Sequence, residues 1–396
     1  MIYIMKYFFV LGTNTALSVA ELAAVLGLEK AALLATDFLL WETDTEINAL
    51  SLIARLGGII KIGRVVAEVD RESELLPRVI AVASQKQAQG ASGKFNFGFS
   101  DYGAKVFNKK DLGLKLKKYF SEKEISSRFV VSQEKTLSSV VVTQSRLLAR
   151  GLEIVLAQAG NKIIIGETLS VQPFKDLSRR DFGRPARDDQ SGMLPPKVAQ
   201  IMINLAGLKN EEAVIVDPFC GSGTILSEAI LMGYKNLFGS DVAVKAVEDT
   251  RKNISWTKEL YSVKDFKLKL QVKNASYLSK FIKADYADAI ITEPYLGPQR
   301  GRIEFVNIIR ELEKLYSDAI REFAKILKTG GRVVMIWPSF YGQRPITPVL
   351  GNVKIKEMIP LSLKNSPFIK QTARQTIVYG RPGQKVFREI VVLEKI

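Results

Sequence analysis

An apolar run that ends on an acid and then bends through two glycines, AVIVDPFCGSGT at residues 213–224, limits this chain more than any other stretch. A strand leads into Asp217, a glycine turn follows, and a helix begins near Thr224. Gly221 and Gly223 let the backbone approach a bound molecule where a side chain would collide with it. The surrounding sequence alternates: strands at 213–217, 236–240, 266–272, 288–292 and 331–337 are separated by helices at 224–232, 243–254 and 304–327, after a first helix at 196–206. That rhythm predicts an α/β fold, a parallel sheet with helices on both faces. Such sheets bind ligands beyond the carboxyl ends of their strands. The end of the chain departs from the rhythm, with strands at 375–379 and 387–393 around Gly380-Arg381-Pro382-Gly383, an antiparallel hairpin closing the sheet.

The chemistry of the bend narrows the ligand. A phosphate-cradling loop needs a Gly-Lys-Ser/Thr ending, which is missing, and a dinucleotide loop needs a third glycine where Leu226 stands. Asp217 before the turn would repel a pyrophosphate but attract a cation. S-adenosyl-L-methionine carries an ammonium and a sulfonium, so Asp217, Pro218, Phe219, Gly221, Gly223 and Thr224 form its expected cradle. Asp241, with Val242 after it, ends the next strand, where a carboxylate accepts ribose hydroxyls. Its other reading is a helix N-cap. Asn274 and Ala275 follow the third strand, at an adenine edge or simply in a turn.

Composition removes several kinds of chemistry. Histidine is absent and Cys220 is the lone cysteine, so there is no Ser-His-Asp or Cys-His nucleophile, no disulfide and no expected metal site. Proton transfer falls to carboxylates, lysine, tyrosine, backbone or water. No stretch reaches the roughly 20 apolar residues of a membrane span. The apolar opening is broken by Gly12, Asn14 and Thr15 and reads as strand, turn and helix rather than a signal peptide. Lysine and arginine number 57 against 41 acids, a net charge of +16, which points to a polyanionic partner. The excess is uneven: −1 over residues 1–100, +6 over 101–190 and +11 beyond.

The charge pattern and elements suggest four parts: an α/β unit at 1–90, a second unit at 91–170, a linker at 171–192 and the sheet domain at 193–396. The first holds strands at 3–11, 37–42 and 63–69 with helices at 16–27, 45–55 and 74–89. The second holds strands at 95–99, 128–133, 138–142, 153–158 and 162–169 and a lysine-rich helix at 111–124. Prolines and glycines break up the stretch from Val171 to Pro196. Its arginines, Arg179, Arg180, Arg184 and Arg187, read either as a solvated connector or as phosphate contacts.

The fourth strand of the sheet domain ends in DAIITEPYLGPQ, residues 288–299. It resembles the Asp/Asn-Pro-Pro-Tyr motif of methyltransferases that modify exocyclic amines. Such an amine is a poor nucleophile because its lone pair is delocalised into the ring. An acceptor on its protons holds it towards tetrahedral geometry and aims the lone pair, while an aromatic ring stacks on the flipped base. Here Thr292 takes the acidic place and Glu293 the first proline's, while Pro294 keeps the turn and Tyr295 the ring. Either Glu293 or backbone carbonyls supply the acceptor.

Together, YFFVLGTNTALSVAEL, NKIIIGETLSVQPFKDLSRRDFGRP and GMLPPKVAQIMINLAG followed by DPFCGSGT resemble the THUMP-domain RNA methyltransferases, specifically the tRNA guanine-N2 enzymes acting at guanosine 10. The resemblance spans nearly the whole chain. It implies a ferredoxin-like amino-terminal unit, a THUMP unit that binds the acceptor end of tRNA, and a Rossmann-like class I methyltransferase domain. It implies a cytoplasmic enzyme that adds one or two methyls to the guanine N2 amine, with a small activator subunit as an open question. Asn274 stands where an aspartate is common, and Thr292-Glu293 departs from the family pattern. Those departures leave two competitors: an inactive methyltransferase-like RNA-binding protein, and an amine methyltransferase for another nucleic-acid base. A dinucleotide oxidoreductase is a more distant alternative.

Overall fold

The computed structural model describes residues 4–89, 93–104, 108–187, 193–298, 304–380 and 383–396. In the first half β1 Met5–Leu11, β2 Ala31–Ala35, β3 Phe38–Thr43, β4 Ile59–Val69, β5 Phe95–Tyr102, β6 Ser127–Val130, β7 Gly151–Ala159 and β8 Lys162–Val171 form one sheet. Its order is β2-β3-β1-β4-β8-β7-β5-β6. The expected units 1–90 and 91–170 therefore share a continuous sheet, joined where β4 pairs antiparallel with β8 from Lys61↔Val171 to Val69↔Ile163. Pairing satisfies backbone groups that a free edge on either strand would leave open.

Local signals set most elements. Asn14 accepts from the Leu17 N–H to start helix Thr15–Leu26, and Gly27 at φ +80° ends it. Residues 138–142 correct the reading above. Ser138 caps a helix, Ser139–Gln144, by accepting from the Val141 N–H, and Val142 packs among Val130, Leu137 and Leu147. The cause is topological: β6 and β7 both run parallel to β5, so the chain between them must cross over the sheet. The linker is corrected too, since Phe174–Phe182 is a helix with Leu177 and Arg180 on its buried side.

The second sheet contains β9 Val214–Asp217, β10 Asn236–Asp241, β11 Lys267–Val272, β12 Ala287–Thr292, β13 Leu327–Phe340, β14 Val353–Ile355, β15 Ile377–Tyr379 and β16 Val386–Lys395. Its order is β11-β10-β9-β12-β13-β16-β14, with β15 also on β16. The strands from β11 to β13 pair in parallel, and β16 runs antiparallel to β13. Chain order reverses between β9 and β12, which opens the crevice where such sheets bind ligands. The parallel sheet closed by antiparallel strands is the expected Rossmann-like arrangement.

The two halves share a core. Helix Thr15–Leu26 packs on helix Pro196–Leu205, and apolar residues run continuously from Leu17 and Leu22 to Met202, Ile215 and Ile290. The contact is close: a Cβ on Gly57 would lie 1.9 Å from the Lys197 carbonyl oxygen. Buried Glu21 ties the junction, accepting from the Gly57 and Gly58 N–H groups at 2.8 Å and from Asn204 Nδ2 at 2.7 Å. Burial pushes its carboxyl up to about 7. Among the described residues, no helix is long and apolar enough to cross a membrane.

Candidate active site

Strands β9 and β12 are neighbours and end side by side. This register brings the two motifs read separately in the sequence together. Asp217 closes β9 with 1% exposure, and Thr292 closes β12 fully buried. The Thr292 hydroxyl donates to Asp217 Oδ1 at 2.7 Å, and the Phe219 N–H donates to the same oxygen at 3.3 Å. Burial raises the Asp217 carboxyl to about 7; the Thr292 bond works against this, and the nearby charges of Asp241 and Glu293 reinforce it. A carboxylate so placed gains from a cation beside it.

The bend after β9 is open where a ligand would approach. Gly221 has φ +52°, and nothing lies within 4 Å of where its Cβ would be. Gly223, at φ +82°, serves packing, because a Cβ there would meet Thr250 at 2.8 Å. The bend is propped from behind by helix Val244–Tyr261. Thr250 donates to the Gly221 carbonyl at 2.8 Å, and Asn253 donates to the Ser222 carbonyl at 2.8 Å. The motif reading missed both residues. Their available signal was polar side chains at helical spacing on a buried face: Thr250, Asn253 and Thr257.

Asp241, half-exposed at the end of β10, accepts from the Gly221 N–H at 3.1 Å and the Ala243 N–H at 3.0 Å. It braces the bend while facing the crevice, and it is not the helix N-cap, which is Ala243. Val242 beside it is 69% exposed, an apolar surface fit for a ring. Asn274 adopts its turn reading, accepting from the Ser276 N–H at 2.9 Å, and Ala275 is buried. Pro218 is buried, and Thr224 is turned away from the crevice to accept from Arg184. Burial pushes the Cys220 thiol up, so it is no nucleophile.

Beyond β12, Glu293 accepts from Arg388 Nε at 2.6 Å, and Pro294 is buried. The Tyr295 ring is 59% exposed, while its backbone carbonyl accepts from the buried Tyr316 hydroxyl at 2.7 Å. The fixed carbonyl leaves the ring as the accessible part of the turn. Arg388 and Tyr316 were not identified from sequence, because each reaches the turn from a distant element.

The four linker arginines divide. Arg180 and Arg184 are 8% and 6% exposed, which corrects their assignment to a phosphate surface. Arg180 pairs with Asp176 and with Glu228, the latter at 2.8 Å, and lies over the Tyr261 ring. Arg184 donates to Thr224. The Arg180 contacts clamp helix Phe174–Phe182 onto helix Thr224–Leu231, and a charge withdrawn from water needs such partners. Arg187 stacks on Phe182 and donates to the Phe182 carbonyl at 3.0 Å. Arg179 is exposed. Gln299, Arg381, Pro382 and Gly192 of the sequence motifs lie outside the described residues. Among the described residues, no group of three or more Cys, Asp or Glu side chains could hold a metal ion.

Comparisons with known proteins give a family match that includes this region. Residues 184–342 match UPF0020, the RMKL-like methyltransferase domain. The chain is 28% identical over 231 residues to a tRNA (guanine(10)-N2)-dimethyltransferase of Pyrococcus abyssi, covering 56% of this chain and 62% of that one. It is 34% identical over 114 residues to a probable tRNA (guanine(10)-N2)-dimethyltransferase of Methanothermococcus thermolithotrophicus, covering 27% of this chain and 67% of that one. The chain thus spans somewhat under two thirds of the Pyrococcus protein's length. Among solved structures, TrmN from Thermus thermophilus superposes over all of both chains with a TM-score of 0.54 and 16% identity, a likeness of fold.

Proposed function

The chain belongs to the tRNA (guanine(10)-N2)-dimethyltransferase family, and from that premise we propose that it methylates the exocyclic N2 amine of a guanosine in tRNA, at position 10, once or twice. The observation that carries the reading is the meeting of two strand ends: an acid-flanked glycine bend on β9 beside an exposed tyrosine on the turn after β12. S-adenosyl-L-methionine supplies the electrophilic methyl when bound. The residues present fit it. Asp217 would pair with its ammonium, the Gly221 backbone would give it room, Asp241 would take its ribose hydroxyls, and exposed Val242 would cover its adenine. Tyr295 stacks on the extruded base, which excludes water from one face. The turn 292–295 supplies the acceptor that orients the amine.

We further propose that the first sheet comprises a ferredoxin-like unit and a THUMP unit that holds the acceptor end of tRNA. The lysines of helix Lys109–Glu122 and exposed Arg179 would serve as phosphate contacts. The enzyme would work in the cytoplasm, where its tRNA substrate is found. One observation favours an RNA-binding protein without activity: Thr292 stands where the acidic residue is usual, and its hydroxyl is committed to Asp217.

The deciding experiment incubates the protein with methyl-labelled S-adenosyl-L-methionine and unmodified tRNA, with duplex DNA in parallel. Nucleoside digestion is expected to yield N2-methylguanosine or N2,N2-dimethylguanosine from tRNA only. Label in adenine or in DNA would move the protein to another amine, and no label would leave the RNA-binding reading.

A further inference from the structure

We propose that Glu293 is the group that accepts the target amine's protons, and that Arg388 is the positioning residue that fixes it. In this chain the base-facing carboxylate has moved one residue along, from the end of the strand to the turn beyond it. The proposal rests on the methyl-transfer reading and assigns the acceptor within it.

Three observations lead there. Thr292 is fully buried and its hydroxyl proton is given to Asp217, so it offers no carboxylate to the crevice. Glu293, the next residue, is held by Arg388 Nε at 2.6 Å, with side-chain exposures of 15% and 11%. Arg388 lies on β16, in register with Pro338 of β13, so it reaches across β13 to the end of β12. This contact occupies Oε1 of Glu293; its Oε2 has no donor among the described residues. Carboxylate geometry allows two acceptor directions on that second oxygen.

A buried pair of this kind adds little net stability, and an apolar pair would pack as well. Its chemical consequence is different. Burial raises the Glu293 carboxyl above the ordinary range, and Arg388 opposes that rise. The other groups facing it are the Asp217 carboxyl and the buried Tyr316 hydroxyl, both of which the Glu293 charge pushes up. Arg388 thus keeps an anion ionised in a place that would otherwise neutralise it, while leaving it basic enough to take a proton.

The step balances. Glu293 accepts an N–H of the amine and turns its lone pair towards the methyl. As the new N–C bond forms, the electron pair of the old C–S bond stays on sulfur and cancels its charge. Glu293 then takes the proton that the methylated nitrogen sheds and passes it to water.

The test measures single-turnover rate against pH for the wild type, Glu293→Gln, Arg388→Gln and Arg388→Lys, together with melting temperature and binding of S-adenosylhomocysteine and tRNA. The glutamine amide oxygen still accepts from Arg388, so Glu293→Gln is expected to fold and to bind both ligands within about twofold, and to lose about a hundredfold or more in rate. In Arg388→Gln the acid limb of the rate profile is expected to move up by about one pH unit or more, with part of the shift recovered in Arg388→Lys. Full activity in Glu293→Gln overturns the assignment while the methyl-transfer reading stands. A uniform rate loss in Arg388→Gln with an unmoved limb reduces Arg388 to a packing role. A wild type that binds both ligands but transfers nothing overturns both readings.

Discussion

The Thr292 hydroxyl donates to Asp217 Oδ1 at 2.7 Å, a bond between the last residues of two neighbouring strands that joins the glycine bend after β9 to the turn after β12. It is the main hydrogen bond holding down the Asp217 pKa against burial. Thr292→Val removes it at nearly constant volume. The loss of a hydrogen bond to a charged group costs about 1.5–3 kcal/mol, so affinity for S-adenosylhomocysteine is expected to fall about tenfold or more at pH 7 and to recover partly at pH 8.5. Calorimetry at the two pH values checks this; affinity equal to wild type at both would contradict it.

Donor binding should also be linked to a proton. Asp217 titrates at about 7 in the unliganded chain. A cationic ligand favours its ionised form, so binding near pH 6.5 is expected to release a fraction of a proton. Titrations in buffers of different ionisation enthalpy should give different apparent heats, and identical heats would argue against Asp217 as the cation's partner.

Stability should fall with rising pH in a window set by buried acids. Glu21, Asp217 and Glu228 each sit at about 7 in the folded chain, raised by burial. A carboxyl raised on folding contributes stability that is fully present below its unfolded value, about 4, and is lost as pH rises through 7. Glu313, held at about 2 by Arg344, acts in the opposite sense, and its contribution disappears only as pH falls through 2. Melting temperature without ligand is therefore expected to decline from pH 5 to pH 8, with a shallower slope in Glu21→Gln. A slope unchanged by that substitution would remove Glu21 from the account.

Neighbouring arginines of the linker helix should behave in opposite ways. Arg180→Ala leaves Glu228 buried without its ion pair, and breaking such a pair costs about 3–5 kcal/mol. Arg179→Ala touches only the surface. It is expected to leave the melting temperature unchanged and to lower the salt dependence of tRNA affinity by about one counterion. Thermal melts and a salt titration of each variant separate the two roles; equal destabilisation would contradict the clamp.

What the sequence conveyed depended on how local each feature is. The strand, acid, bend and helix around Asp217 were legible because consecutive residues encode them, and so was the hairpin that closes the sheet. The valines at 140–142 misled because their strand propensity yields to a topological demand, the crossover between parallel strands. Helix Phe174–Phe182 was hidden between prolines at 173 and 185, and Arg180 looked like surface charge because its partner, Glu228, lies 48 positions away. The site shows the same limit. Glu293 and Arg388 are 95 positions apart, and only the sheet order brings them together. The pairing of β4 with β8, which joins the stretches on either side of residue 90 in one sheet, was equally hidden.

Whether the acid-flanked bend on β9 holds a methyl donor is decided by one titration. Folded wild-type protein titrated calorimetrically with S-adenosylhomocysteine is expected to bind at one site per chain. Gly221→Val, which fills the open space above the bend, and Asp217→Asn, which removes the charge, should each lose most of the affinity while their melts remain cooperative. No heat of binding from the folded wild type, or full affinity in both variants, would contradict the account.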